Sequence, residues 1–296
     1  MSDTYDHQTR FLLPLAGVRG VCVQLEGTWR DIMGNADYPG ATRDLLGQAC
    51  AAAALFTGHA KVNGRLSLQL RSRHLLRTMF AECTAQGTLR GIAQLEEGAD
   101  APQDLQQLGS DALLAITIEN PGLDPAQPQR YQSLVSLQAA TLSQVFEDYF
   151  RQSEQLPTRL LLAANGDRAA GLMLQKLPGD DGDHDGWNRA GALFDTLAAG
   201  ELLATPADEL LHRLFHQEQP TLMARRPLQF ACSCSRERVA GMLHSLGSIE
   251  ARAAVIDDQA EVRCEFCGQR YLFSPAEIEE LFSLPLVGIL APERLQ

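Results

Sequence analysis

The sequence has a deficit of basic residues and contains no long apolar run. Among its 296 residues, 25 are Lys or Arg and 37 are Asp or Glu, which gives a formal net charge of −12. A chain this acidic repels phosphate backbones, which argues against nucleic acid as its main partner. No stretch approaches the roughly 20 apolar residues that a transmembrane helix needs, so no membrane span or membrane partner is expected.

Targeting and catalytic motifs are missing as well. Residues 1–6 are polar and acidic, without the basic and apolar regions of a secretory signal, which predicts a cytoplasmic protein. The chain has no phosphate-binding loop, no dinucleotide-binding glycine fingerprint and no nucleophile elbow. The sequence therefore gives no support to the enzyme classes that depend on these motifs.

What the chain does contain is ample material for a core. Hydrophobic residues make up 45% of it, and its length suits one large domain or two smaller ones. Residues 1–179 alternate strand-like and helix-like stretches, which predicts an α+β fold with a mixed N-terminal α/β domain. The supporting stretches are a half-buried strand at 21–25, a strand at 66–70, helices at 41–56 and 142–153, and a hairpin turn at Asn165-Gly166.

A connecting segment follows this domain. Residues 178–186 are polar, acidic and rich in glycine, the composition of a linker. Helical patterns come next, and the one at 205–215 begins with Thr205 as N-cap and Pro206 at the first helical position. We interpret residues 180–231 as a flexible helical linker arm without a core of its own.

The seven cysteines are the most informative residues. An odd number in a cytosolic protein does not indicate a disulfide framework. Cys22, Cys50 and Cys83 stand alone and are interpreted as core residues. The other four form two close pairs separated by 29 residues, a spacing typical of a tetrahedral metal site. These candidate ligands are Cys232, Cys234, Cys264 and Cys267.

The four cysteines fall in a small predicted C-terminal domain, residues 232–296. Its predicted elements are a helix between Ser235 and Gly247, strands at 261–264 and 270–273, a tight turn at Gly268 and a final helix opened by the capping box Ser274-Pro-Ala-Glu277. Such a unit is too small to be comfortably stable alone, so a structural metal is expected. Four sulfurs suit zinc, with iron as the rival, and we predict one Zn²⁺ per chain.

The spacing leaves open whether the zinc is inert or reactive. Two features favour reactivity: only one residue separates Cys232 from Cys234, and basic side chains near the ligands in sequence would stabilise thiolates. These basic residues are Arg236, Arg238, Arg263 and Arg270. Two other candidate metal sites, His212 with His216 and the aspartates at 180–185, are interpreted as solvated surface, because neither has the full ligand pattern of a known motif.

Around the cysteines the chain resembles the redox switch of the 33 kDa chaperonin family, an ATP-independent bacterial heat-shock holdase. The resemblance rests on Phe230-Ala-Cys-Ser-Cys-Ser-Arg-Glu-Arg-Val239, Glu261-Val-Arg-Cys-Glu-Phe-Cys-Gly268 and Tyr271. It extends to N-terminal landmarks, which are Gly17-Val-Arg-Gly20, Arg65-Leu-Ser-Leu-Gln-Leu70, Tyr149–Thr158 and Gly171–Pro178. One departure is Arg71-Ser-Arg-His-Leu75, where the family usually has a glycine-rich turn.

The resemblance implies a redox-regulated chaperone, which is not an enzyme. In the reduced protein the four cysteines would hold zinc, and oxidation would form the disulfides Cys232–Cys234 and Cys264–Cys267 and release the metal. The C-terminal domain and the arm would then loosen, and the protein would bind unfolding client proteins and form a homodimer.

Two other classes of function stay open at this stage. One is a zinc-ribbon module with an inert structural zinc in a nucleic-acid-associated protein. Against it, residues 232–296 contain six Arg and no Lys but ten acidic residues. The other is a thiol–disulfide oxidoreductase, which would place its Cys-x-x-Cys at a helix N-terminus, whereas Cys264 and Cys267 lie between strand-like segments.

Overall fold

A computed structural model describes residues 5–60, 62–122, 127–179, 183 and 185–283. The chain divides into two compact units, Met1–Ala231 and Cys232–Gln296. Both combine helices with sheets, so the predicted α+β class is confirmed. Within the described ranges no helix has the length and apolar character that crossing a membrane requires.

The first unit is built from two sheets with helices between and outside them. In chain order its strands are β1 (His7–Leu13), β2 (Val18–Leu25), β3 (Arg65–Arg71), β4 (Leu76–Thr84), β5 (Thr88–Leu95), β6 (Leu113–Asn120), β7 (Gln129–Ser136), β8 (Thr158–Ala164), β9 (Ala169–Lys176), β10 (Thr221–Pro227) and β11 (Gln229–Phe230). Its helices are α1 (Gly27–Met33), α2 (Gly40–His59), α3 (Leu142–Ser153), α4 (Gly186–Phe194), α5 (Ala199–Ala204) and α6 (Ala207–Phe215), with short 3₁₀ turns at Leu105–Leu108 and His216–Glu218.

One sheet has five antiparallel strands in the order β10-β1-β2-β9-β8. The predicted hairpin between β8 and β9 is confirmed, and the Asn165 side chain closes it by accepting hydrogen bonds from the N–H groups of Asp167 and Arg168 at 2.9 and 2.8 Å. The prediction that residues 21–25 are half-buried is wrong. β2 is buried on both faces, because α2 packs on one side and the arm helices pack on the other.

The other sheet has six strands in the order β11-β5-β4-β3-β6-β7. Helix α2 packs between the two sheets. It ends at His59, three residues beyond the predicted end. Its run of alanines is fully buried and lets both sheets approach closely. At Gly47 an added Cβ would lie 2.5 Å from the Cβ of Ala164, so no larger residue fits there. β3 alternates as predicted, with Leu66, Leu68 and Leu70 buried.

The turn between β3 and β4 forms without glycine. The N–H and the hydroxyl of Ser72 both donate to the carbonyl oxygen of Leu76, at 3.2 and 3.0 Å. Leu75 adopts a left-handed backbone conformation, with φ of 62°. The departure from a glycine-rich sequence is therefore accommodated by a serine side chain and one non-glycine residue at positive φ.

The described part of the arm belongs to the first unit and packs on its five-stranded sheet. Phe194, Leu210 and Phe215 of its helices share one apolar cluster with Phe11 of β1 and Leu172 of β9. It has no core of its own, as predicted, but it also contains strands that the helical interpretation missed: β10 pairs antiparallel with β1, and β11 pairs parallel with β5. That residues 180–231 act as a flexible linker stays a prediction.

The start of α6 differs from the prediction by one residue. Thr205 is not its N-cap, because Thr205 and Pro206 are both extended, with ψ of 126° and 146°. Pro206 occupies the cap position, and the helix begins at Ala207 without a side-chain cap.

The described part of the second unit, residues 232–283, contains a three-stranded antiparallel sheet and three helices. They are α7 (Arg236–Leu246), α8 (Ser248–Ala253), β12 (Val255–Ile256), β13 (Gln259–Arg263), β14 (Arg270–Phe273) and α9 (Pro275–Ser283), with sheet order β12-β13-β14. The predicted capping box is confirmed, since the Ser274 N–H donates to Glu277 at 2.8 Å and the Glu277 N–H donates back to the Ser274 hydroxyl at 3.3 Å. Among the described residues of this unit, the buried apolar cluster is small: Val239, Leu243, Ala251, Ala260, Phe273 and Ile278.

Candidate metal centre

The fold of the second unit brings the four spaced cysteines together. Cys232 and Cys234 precede α7, whereas Cys264 and Cys267 lie between β13 and β14. Their Sγ atoms all lie within 4.8 Å of one another. The closest approaches across the two pairs are 3.6 Å between Cys232 and Cys264 and 3.3 Å between Cys234 and Cys267.

Local sequence explains how each pair is presented. After Cys264 the chain turns back on itself, with the Gly268 N–H donating to the Cys264 carbonyl at 2.8 Å and the Cys264 N–H donating to the Gln269 carbonyl at 2.9 Å. Gly268 has φ of 69°, which glycine adopts without strain. On the other side, the Ser235 hydroxyl accepts from the Arg238 N–H at 3.3 Å and caps α7 immediately after Cys234. The predicted tight turn and helix start are both present.

The arrangement fits a tetrahedral metal ion. Four sulfurs at a Zn–S distance of about 2.3 Å lie roughly 3.8 Å from one another, close to the separations found here. All four cysteines are partly buried, which limits competition from water. Among the described residues, no other group of three or more His, Cys, Asp or Glu side chains is arranged to hold a metal.

The thiols of Cys232, Cys234 and Cys267 differ in how readily they ionise. Burial opposes ionisation of Cys234, yet its pKa lies below the ordinary value because Tyr271 and the other three cysteines donate hydrogen bonds to its sulfur. Burial raises the pKa of Cys232 and of Cys267. One thiolate is therefore favoured at the expense of its neighbours, and a bound cation is what allows all four sulfurs to be ionised together.

Tyr271 is a site residue that the motif and its spacing did not assign. Its hydroxyl donates to Cys234 Sγ at 3.1 Å, from the strand that follows the Cys264–Cys267 turn. β14 pairs with β13 so that Tyr271 is opposite Val262. Only the strand register places this hydroxyl at the sulfur, so sequence spacing carried no signal for it.

Three of the four arginines that were predicted to stabilise the thiolates have guanidinium groups that bind other partners. Arg236 donates to the Leu272 carbonyl at 2.8 Å and pairs with Glu277 at 2.6 Å, and Arg270 pairs with Glu261. Arg238 donates to the Ser233 carbonyl at 2.9 Å. For Arg263 we find no contact to a cysteine among the described residues.

The remaining sequence candidates lie away from the metal centre. Cys22, Cys50 and Cys83 are buried in the first unit, as predicted, and burial raises the pKa of Cys22 to about 12 and that of Cys83 to about 11. His212 and His216 are exposed on and just after α6, their rings 5.6 Å apart. Most of the acidic segment 180–185 lies outside the described residues.

Comparison with known proteins identifies the family. A family model described as Hsp33 protein matches residues 6–274. The chain is 43% identical over 288 residues to the 33 kDa chaperonin of Ectopseudomonas mendocina, covering 94% of this chain and 95% of that protein. It is 39% identical over 286 residues to the 33 kDa chaperonin of Pseudomonas aeruginosa strain LESB58, with 94% and 95% covered. The chain belongs to the Hsp33 family.

A solved structure agrees with this assignment at the level of the fold. The crystal structure of the 33 kDa chaperonin from Thermotoga maritima superposes with a TM-score of 0.76 at 21% identity, covering 94% of this chain and 98% of that one. The resemblance to this family and the interpretation as a redox-regulated chaperone are confirmed. The alternative of a nucleic-acid-associated zinc ribbon is not supported by these relatives.

Proposed function

We propose that Cys232, Cys234, Cys264 and Cys267 bind one zinc ion as thiolates in the reduced protein and so hold the chaperone inactive. The proposal is supported by four sulfurs within 4.8 Å of one another in a unit whose buried cluster is small. Zinc at a four-thiolate site contributes about 10–16 kcal/mol to folding. The second unit is then stable while zinc is bound and marginal without it.

Oxidation removes the ligands. Hydrogen peroxide accepts two electrons from each pair of thiolates and takes up two protons to form two molecules of water, while the two sulfurs join in a disulfide. The proposed disulfides are Cys232–Cys234 and Cys264–Cys267, in which the partners are separated by one and by two intervening residues. A disulfide sulfur is a poor ligand, so the oxidised cysteines release zinc and the second unit loses its stabilisation.

The arm transmits this change to the client-binding surface. It leads directly into Cys232, and its helices cover the outer face of the five-stranded sheet. When the second unit unfolds, the arm loosens and exposes apolar side chains such as Phe11 and Leu172 on the sheet and Phe194 and Phe215 on the arm. Unfolding client proteins bind this surface without ATP, in the cytoplasm, and a homodimer forms in the oxidised state.

The decisive experiment follows three quantities during one titration with peroxide. Zinc release is measured with a chromophoric chelator, free thiols are counted by alkylation, and client binding is measured as suppression of aggregation without ATP. We expect zinc loss and suppression to rise together as four thiols disappear. Suppression that begins while zinc and all four thiols are retained contradicts the proposal.

A further inference from the structure

At the junction between α5 and α6, a row of backbone carbonyls has no hydrogen-bond donor within α5. The last four carbonyls of any helix lack intrahelical partners. Here Pro206 follows the C-cap Thr205, and it has no N–H to offer the Leu202 carbonyl four residues earlier. Four successive carbonyls, from Leu202 to Thr205, therefore need partners from elsewhere.

A buried glutamine of β2 supplies two of these partners. Gln24 Nε2 donates to the Leu202 carbonyl at 3.1 Å and to the Thr205 carbonyl at 2.6 Å. Gln24 is only 3% exposed, so both bonds are shielded from water. Both protons of the side-chain amide are thus used to hold the arm.

Two further side chains donate hydrogen bonds to the carbonyls between Leu202 and Thr205. Arg168, from the β8–β9 hairpin, donates to the Leu203 carbonyl at 3.2 Å, and the Tyr5 hydroxyl donates to the Ala204 carbonyl at 3.0 Å. Arg168 also donates to the Tyr5 hydroxyl at 2.9 Å, and its guanidinium lies 4.0 Å from the centre of the Tyr5 ring. We call Tyr5, Gln24 and Arg168 the clasp.

The clasp acts on a helix that is weak on its own. α5 has six residues, far fewer than an isolated helix needs in water. Its terminal carbonyls are satisfied by the clasp only while it is docked. The clasp is itself imperfect, because Gln24 Oε1 is buried without a hydrogen-bond partner. An unsatisfied buried acceptor offsets part of the gain from the two donated bonds, so docking is only moderately favoured at this point.

We propose that the clasp sets the equilibrium between the docked and the released arm, independently of the cysteines. Its role in activation rests on the function proposed above. The alternative is that apolar packing of Phe194, Leu210 and Phe215 holds the arm and that the clasp only satisfies carbonyls. The two differ in whether a polar change at the clasp, with the apolar contacts intact, releases the arm.

The test is hydrogen exchange on the full-length, reduced, zinc-loaded protein without client. Gln24→Glu keeps the shape of the side chain but faces the Leu202 and Thr205 carbonyls with an acceptor. The matched control is Gln8→Glu, since Gln8 is also buried, lies in the neighbouring strand β1 and donates to the Ala54 carbonyl of α2. We expect exchange in peptides covering 199–215 to accelerate at least about tenfold in Gln24→Glu but not selectively in the control.

A second pair of variants makes smaller changes and serves if the buried carboxylate of Gln24→Glu prevents folding. Tyr5→Phe removes one hydroxyl at the edge of the clasp, and we expect exchange of 199–215 to accelerate about twofold to tenfold. Its control, Tyr149→Phe, removes a hydroxyl that contacts Ser133 and not the arm. Unchanged exchange at 199–215 in Tyr5→Phe, or equal acceleration throughout the first unit in Gln24→Glu and Gln8→Glu, overturns the proposal.

A second readout separates this proposal from the proposed function. The same reduced variants are tested for suppression of client aggregation. If exchange at 199–215 accelerates selectively and suppression rises, both proposals are supported. If exchange accelerates and suppression stays at the wild-type level, the clasp is supported and the role of arm release in client binding is contradicted.

Discussion

The hydroxyl of Tyr271 donates a hydrogen bond to the sulfur of Cys234 at 3.1 Å. The group next to this thiol, whose pKa lies below the ordinary value, is therefore a neutral donor. The neighbouring cations Arg236 and Arg270 are paired with carboxylates instead. Hydrogen bonds to ligand atoms orient them and tune metal affinity. Tyr271, on a strand of the second unit's sheet, therefore orients the Cys234 sulfur and tunes its affinity for the metal.

The first prediction concerns this bond. Tyr271→Phe removes the donor and leaves the ring, so the Cys234 thiolate is less stabilised and zinc affinity falls by about tenfold. Competition with a chromophoric chelator measures the change. The control is Tyr149→Phe, in the first unit, which should bind zinc like the wild type. Equal affinity in Tyr271→Phe and wild type contradicts a tuning role for the hydroxyl.

The local features of this site could be predicted from sequence, whereas the long-range ones could not. The turn at Gly268, the Ser235 cap and the Ser274–Glu277 box depend on residues within four positions of each other, and all three are present. The partner of Arg270 depends on pairing between β13 and β14, which brings Glu261 to it. Proximity in sequence suggested that Arg270 would stabilise a thiolate, but its guanidinium group binds the carboxylate of Glu261 on the neighbouring strand.

The same distinction holds for the fold. The hairpin at Asn165-Gly166 and the amphipathic helix at 142–153 are encoded by local patterns, and both were predicted correctly. β2 is buried on both faces because the arm covers one face of its sheet. The arm is distant from β2 in sequence, so the hydrophobic periodicity of β2 itself cannot predict this burial. β10 was missed because its residues are mostly exposed and do not alternate between buried and exposed positions.

The second prediction concerns metal content. The reduced protein should contain one zinc ion per chain, because the described residues offer a single group of four soft ligands. Elemental analysis after purification without added metal measures this ratio. A metal-free reduced protein, or an iron chromophore in its absorption spectrum, contradicts the assignment.

The third prediction concerns the three buried cysteines. Cys22→Ser, Cys50→Ser and Cys83→Ser should each retain activation by peroxide, because burial raises the thiol pKa and keeps these residues from reacting. Each variant should lose about 1–3 kcal/mol of stability, because its hydroxyl is buried. Aggregation assays before and after oxidation measure activation, and urea unfolding measures stability. Loss of activation by peroxide in a variant that is still folded under the assay conditions contradicts this prediction.

The fourth prediction separates a switch from an enzyme and from an inert zinc site. Cys264→Ser/Cys267→Ser removes half of the ligands, and the second unit needs roughly 10 kcal/mol from the metal to stay folded. The unit should therefore be largely unfolded in reductant. If it restrains the arm, the reduced variant should suppress client aggregation without any oxidant.

The matched control is Cys22→Ser/Cys83→Ser, which removes the same number of thiols from the first unit and should remain inactive until oxidised. Light scattering from a thermally denaturing client, with both variants kept reduced, gives the comparison.

The three interpretations differ in the outcome for Cys264→Ser/Cys267→Ser. An enzyme whose active site contained Cys264 and Cys267 would lose activity in this variant. An inert zinc site would yield a destabilised second unit with no gain in suppression. Suppression by Cys264→Ser/Cys267→Ser no greater than that of the reduced wild type therefore contradicts the switch, because a unit that restrains the arm must release it when its ligands are removed.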